Sequence, residues 1–175
     1  MAFAVSLLLD AASSSAIRTY WERLAAANVS RAMVDFRYVP HVTLAVYDTL
    51  DRATALAALD RVLAGQPAFD FALTLLETFG AESGVLYAAL AESDELRRLQ
   101  HDVVAEISGD CQPHYQPQHW TPHCTLATGL SAARLDATQR LLRQYWQSRP
   151  GLFQAAELVE FVPVTSIRRW ELIPR

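Results

Sequence analysis

Apolar and polar positions along the chain alternate between two periods. Residues 3–9 form a short apolar run, which predicts a buried strand. Residues 13–27 carry Ile17, Trp21 and Leu24 at helical spacing. Residues 39–47 alternate and are rich in β-branched side chains, a strand pattern. Residues 51–64 place Leu56, Leu59 and Leu63 on one helix face, with Gly65 as the stop. Residues 69–79 put Phe69, Phe71, Leu73 and Leu75 on one strand face, and G-A-E-S-G turns the chain into a strand at 85–90. Ser93 then caps a helix with acidic residues in its first turn, carrying Leu96, Leu99, Val103 and Ile107. A proline-broken stretch, C-Q-P-H-Y-Q-P-Q-H-W, follows. Ser131 caps a further helix with Leu135, Leu142 and Tyr145, and strands are expected at 154–162 and 165–172.

The series repeats. V-P-H-V-T-L-A-V at 39–46 returns as T-P-H-C-T-L-A-T at 121–128, and His41 and His123 are 82 positions apart. The same shift carries Leu8 onto Leu90, Leu59 onto Leu141, Phe71 onto Phe153, Leu76 onto Leu158 and Phe79 onto Phe161. Two copies are too few for a solenoid. They suit two similar lobes about a pseudo-two-fold axis, with sequence halves of about 1–82 and 83–175 in a single bilobal domain. Equivalent residues would meet at the axis, bringing His41 and His123 into one cleft.

Composition narrows the setting. Hydrophobic residues make up 51% and charged residues 19%, which suits a compact core rather than disorder. No apolar run is long enough to span a bilayer. The N-terminal stretch lacks a basic region and reads as a strand, not a signal peptide. Two cysteines give no disulfide framework, so a reducing cytoplasm is expected. The net charge of −4 excludes the broad basic stripe of a duplex-DNA binder. Every basic side chain is arginine, whose fork suits phosphate.

On a strand, residues i and i+2 share a face. His41 and Thr43 therefore point one way, with Val42 and Leu44 behind them. His123 and Thr125 do likewise, with Cys124 and Leu126 behind. Two imidazoles and two hydroxyls around a cleft suit metal-free phosphodiester chemistry. A neutral histidine takes a proton, a protonated one gives it to the leaving oxygen, and the threonines donate to non-bridging phosphate oxygens.

The duplicated H-x-T-L-A in matched frames resembles the two-histidine (2H) phosphoesterase superfamily, which includes 2′-5′ RNA ligase-like proteins and cyclic phosphodiesterases. The resemblance implies an α+β fold of two lobes, each an antiparallel sheet with helices outside and a cleft between. It implies catalytic roles for His41, Thr43, His123 and Thr125, and neither cofactor nor metal. The ligase-like pattern often continues the second motif into arginine, where this chain has Thr128.

Other residues are open to more than one reading. Cys111, His114, His119 and His123 could be taken for zinc ligands, but their spacings match no familiar pair and would take His123 out of the repeat. Cys124 reads as a small core hydrophobe and His101 as surface. Phe36, Arg37 and Tyr38 enter the first motif, and Tyr115, His119 and Trp120 enter the second. Aromatic side chains there could stack a nucleobase or pack at the rim; Tyr38, Tyr115 and Trp120 are the substrate-binding candidates. Arg168 and Arg169 should face opposite ways, so at most one reaches the cleft. The expected activity is hydrolysis of 2′,3′-cyclic phosphates or 2′-5′ linkages in RNA ends or small nucleotides, by a cytoplasmic monomer. The alternatives are 2′-5′ end joining, or a nucleotide- or RNA-binding module with little turnover.

Overall fold

Both halves of the repeat become matching elements in the computed structural model of the chain, which describes residues 2–161 and 163–174. The strands are β1 (Ala2–Leu9), β2 (His41–Tyr47), β3 (Phe69–Thr78), β4 (Leu86–Leu90), β5 (His123–Ala127), β6 (Arg149–Phe161) and β7 (Thr165–Glu171). The helices are α1 (Ala11–Ala26), α2 (Ala32–Asp35), α3 (Arg52–Leu63), α4 (Asp94–Glu106) and α5 (Ala132–Arg143). Asp10, Asp51 and Ser93 cap α1, α3 and α4 by accepting the backbone N–H of Ser13, Thr54 and Leu96. No helix among the described residues is long and apolar enough to cross a membrane.

The strands form one antiparallel sheet in the order β2-β1-β6-β3-β4-β5, with β7 also paired to β6. Under the 82-residue shift, β1, β2 and β3 correspond to β4, β5 and β6. The order is therefore a palindrome, with β2-β1-β6 answering β5-β4-β3 across the β6/β3 junction. The α+β architecture of two lobes is present, and the long strand β6 makes the two sheets continuous. Each lobe draws on both sequence halves. The first helix of each half also crosses over, for α1 packs on β5 and α4 packs on β2. The sheet curls until its two edge strands, β2 and β5, lie against each other.

Three details differ from the pattern reading. Leu75 was expected inside, but the β3–β4 register shifts between Leu73 and Leu76, so Leu76 turns inward and Leu75 is 62% exposed. Strand β6 begins at Arg149, five residues before the expected start at Gln154. Pro150 is tolerated there because β6 pairs with β3 alone over 149–152, so one edge needs no donor. Gly151 is required for packing, since a Cβ would come within 2.3 Å of the Phe71 ring. Helix α5 ends at Arg143, which leaves Tyr145 beyond it and 54% exposed. The last residue of the expected 154–162 strand, Val162, lies outside the described residues.

Candidate active site

On β2, Val42 and Leu44 are fully buried against the helices, which leaves His41 and Thr43 on the opposite face. Register places Leu8 of β1 beside His41 and Ser6 beside Thr43. Ser6 Oγ lies 3.4 Å from Thr43 Oγ1. Next along the sheet, Glu157 of β6 stands opposite Ser6. The first half-site therefore presents an imidazole, two hydroxyls and a carboxylate.

The second half-site repeats the frame with different walls. Cys124 and Leu126 are buried, so His123 and Thr125 share the open face. Where the first half has Ser6, the second has Tyr87, paired with Thr125. Phe79 stacks on Tyr87 with ring centroids 4.3 Å apart, and both rings meet the His123 ring edge-on. His123 thus stands among aromatic rings, while His41 stands near a carboxylate.

The prolines set both imidazoles alike. A residue before proline is held extended, and each carbonyl two residues before the histidine is presented to the ring. His41 Nδ1 lies 2.6 Å from Val39 O, and His123 Nδ1 lies 2.7 Å from Thr121 O. A carbonyl only accepts, so each Nδ1 carries the proton and each Nε2 is left as the unprotonated nitrogen of the neutral ring. Two indoles hold the backbones behind the hydroxyls. Trp120 Nε1 donates to Thr43 O at 2.9 Å, and Trp21 Nε1, from α1, donates to Thr125 O at 3.0 Å.

The two motifs meet in one place. Strands β2 and β5, which carry them, lie against each other. His41, Thr43, His123 and Thr125 all line a single pocket of about 230 Å³, together with Ser6, Glu157 and Thr128. Burial pushes both imidazoles below the ordinary histidine range. At His41 the Val39 carbonyl and the Glu157 carboxylate oppose that fall. At His123 the Thr121 carbonyl opposes it and the charge of His41 adds to it.

The substrate-binding candidates separate. Tyr38 and Tyr115 line the pocket, and the Tyr38 ring lies 5.7 Å from that of His41. Trp120 does not line it. Its ring is buried, 4% exposed, and its N–H is used on Thr43, so it holds the motif rather than stacking a base. Neither terminal arginine reaches the pocket. Arg168 is paired with Asp60 at 2.8 Å, and Arg169 is turned to Glu171 at 2.5 Å. His114 and His119 are exposed outside the pocket, as is His101 beside Asp102. Cys111 is buried next to Tyr47, and burial raises its thiol and pushes that of Cys124 up to about 12. Among the described residues no three histidine, cysteine or carboxylate side chains gather as a metal site. Ser6, Glu157, Arg37, Phe79 and Tyr87 were missed by motif reasoning. Phe79 did carry one signal, since it matches Phe161 under the 82-residue shift, and Phe161 also lines the pocket.

The buried indoles have a testable consequence. Trp120→Phe keeps a ring but leaves the Thr43 carbonyl without its donor, as Trp21→Phe does for Thr125. Each should destabilise the fold by about 1–3 kcal/mol in urea denaturation. An unchanged midpoint would mean that these bonds do not hold the motif.

A family model described as the 2′-5′ RNA ligase superfamily matches residues 8–162. Among solved structures, TT0787 of Thermus thermophilus aligns over 100% of both chains with a TM-score of 0.63 and 18% identity. E. coli LigT complexed with 3′-AMP aligns over 98% of this chain and 97% of its own, with a TM-score of 0.56 and 18% identity. Usb1 of Kluyveromyces marxianus aligns over 95% and 97%, with a TM-score of 0.50 and 12% identity. At these identities the likeness is one of fold. No curated protein sequence matches the chain significantly.

Proposed function

Because this chain belongs to the 2′-5′ RNA ligase superfamily, we propose that it is a metal-independent phosphodiesterase acting on 2′,3′-cyclic phosphates or 2′-5′ linkages of RNA ends or small nucleotides. The observation that carries this reading is the pair of imidazoles lining one pocket, each with Nδ1 tied to a main-chain carbonyl. One neutral Nε2 takes a proton from water as its oxygen attacks phosphorus. The bond from phosphorus to a ribose oxygen breaks, and the protonated Nε2 of the other histidine supplies the proton that oxygen needs. The product is a phosphomonoester with a free ribose hydroxyl. Thr43 and Thr125 donate to the non-bridging oxygens, where negative charge grows.

That E. coli LigT is complexed with 3′-AMP supports a nucleotide-sized ligand. Tyr38 and Tyr115 would offer ring faces to its base. Two buried, unpaired cysteines suit a reducing compartment such as the cytoplasm. The test is a turnover screen over 2′,3′-cyclic nucleotides and 2′-5′ dinucleotides, with EDTA present. Hydrolysis of at least one of them is expected. Binding without turnover would make the protein a nucleotide-binding module, and activity restored only by added metal would refute the proton-transfer chemistry.

The pH profile follows from the site. Rate needs one neutral and one protonated imidazole, so it falls in acid when both are protonated and in base when both are neutral. Burial lowers both groups, so both limbs move to lower pH. The kcat/KM bell of the free enzyme should centre below the unperturbed histidine value of about 6.5. The limbs belong to the coupled pair, not to named residues. A bound phosphate anion favours imidazolium, so the kcat bell should lie at higher pH than the kcat/KM bell. A kcat/KM optimum above about 7.5, a full unit over the unperturbed value, would contradict this electrostatic account.

A further inference from the structure

We propose that Arg37 is the cation that holds the substrate phosphate in this pocket, from a backbone conformation kept under strain for that purpose. The proposal rests on the reading of the pocket as a phosphodiester site.

Charge makes the need plain. A phosphodiester is an anion and gains negative charge as it is attacked. The pocket already holds the Glu157 carboxylate, and only one of its two imidazoles is protonated in the working state. Without a further positive group, these charges leave no net attraction for a phosphate. Thr128, which also lines the pocket, contributes a hydroxyl. Arg37 is the only arginine among the described residues lining it. Its side chain is exposed and, among the described residues, makes no hydrogen bond or ion pair. By contrast, Arg168 and Arg169 are committed to Asp60 and Glu171. A free guanidinium fork is the donor that suits two phosphate oxygens.

The backbone supplies a second, independent observation. Arg37 has φ +53°, a left-handed conformation shared among described non-glycine residues only with Asn28. Asparagine tolerates that region, whereas arginine has no local device to offset it. The position closes the short helix α2, where Arg37 N donates to Val34 O and Tyr38 N to Met33 O. Glycine is the residue that fits such a helix end with least strain. An arginine there presents its side chain to the pocket two residues before Val39, whose carbonyl holds His41.

The experiment compares wild type with Arg37→Gly and Arg37→Lys in three readouts: inorganic phosphate affinity by calorimetry, thermal midpoint, and kcat/KM with its salt dependence. Arg37→Gly should melt at or above the wild-type temperature, because glycine relieves the backbone. It should bind phosphate roughly ten- to a hundredfold more weakly, the loss expected for a charged hydrogen-bonding pair. Arg37→Lys should keep part of the affinity, as a point charge without the fork. If Arg37→Gly binds phosphate as wild type does, Arg37 is only a helix end and the proposal is overturned. Phosphate binding is read without turnover, so the two readings fail separately. A protein that hydrolyses nothing yet loses phosphate with Arg37→Gly refutes the enzymatic reading alone.

Discussion

His41→Ala and His123→Ala should each lower kcat by about 10²–10⁴, the range for removing one proton transfer by a positioned acid or base. The expectation is equal in kind for both because the structure treats them alike. Each follows a proline, each donates Nδ1–H to the carbonyl two residues earlier, and each lines the same pocket. KM should change less than kcat, since a proton transfer acts on the reacting bond rather than on ground-state binding. The half-sites differ in their walls, with Glu157 near His41 and aromatic rings around His123. Steady-state kinetics on the best substrate from the screen measures both losses. Near-normal turnover by His123→Ala would make the second motif a relic of duplication.

Thr43→Val and Thr125→Val keep the shape of the strand face and each delete one hydroxyl, the proposed donor to the phosphate oxygens. By analogy with a lost oxyanion donor, each should cost about 10²–10³ in kcat. The two losses should be unequal. Ser6 Oγ lies 3.4 Å from Thr43 Oγ1 on the same face, so a second hydroxyl remains when Thr43 is replaced. In the other half Tyr87 occupies the place of Ser6, and its ring is stacked on Phe79. Thr125→Val should therefore fall at the severe end of the range and Thr43→Val at the mild end. Adding Ser6→Ala to Thr43→Val should close the gap. Equal losses from the two threonine variants, unchanged by Ser6→Ala, would refute this account of the asymmetry.

The motif histidines and threonines were legible because a strand fixes its own side-chain faces, and two matched frames 82 residues apart leave little room for chance. The order of the strands and of the longer helices was legible for the same reason, since hydrophobic period is local, whereas the four-residue α2 is too short to carry a period. What escaped is non-local. Ser6 and Glu157 reach the pocket from β1 and β6, and nothing near them in sequence marks them, while Arg37 lies in the approach to the first motif with no local sign that its side chain faces the pocket. The exchange of β3 and β6 between lobes depends on pairing partners that no local pattern encodes. For Trp120 the sequence leaves stacking and packing both open, and only the fold shows its N–H on the Thr43 carbonyl inside. Strand β6 runs through Arg149, Pro150 and Gly151, ahead of its expected start, against the local preference of proline and glycine for turns. Here one sits where a free edge needs no donor, and the other sits where Phe71 leaves no space for a side chain.

The central claim is that His41 and His123 act on one phosphate as a unit. The measurement that tests it most directly is a double-mutant cycle, comparing kcat of His41→Ala, His123→Ala and the pair in a metal-free buffer. Two groups that share one reaction leave little for the second substitution to remove. The double variant should fall close to the slower single variant, far short of the product of the two losses. Losses that multiply in full would mean that the two histidines act independently, and the single-site account would be wrong.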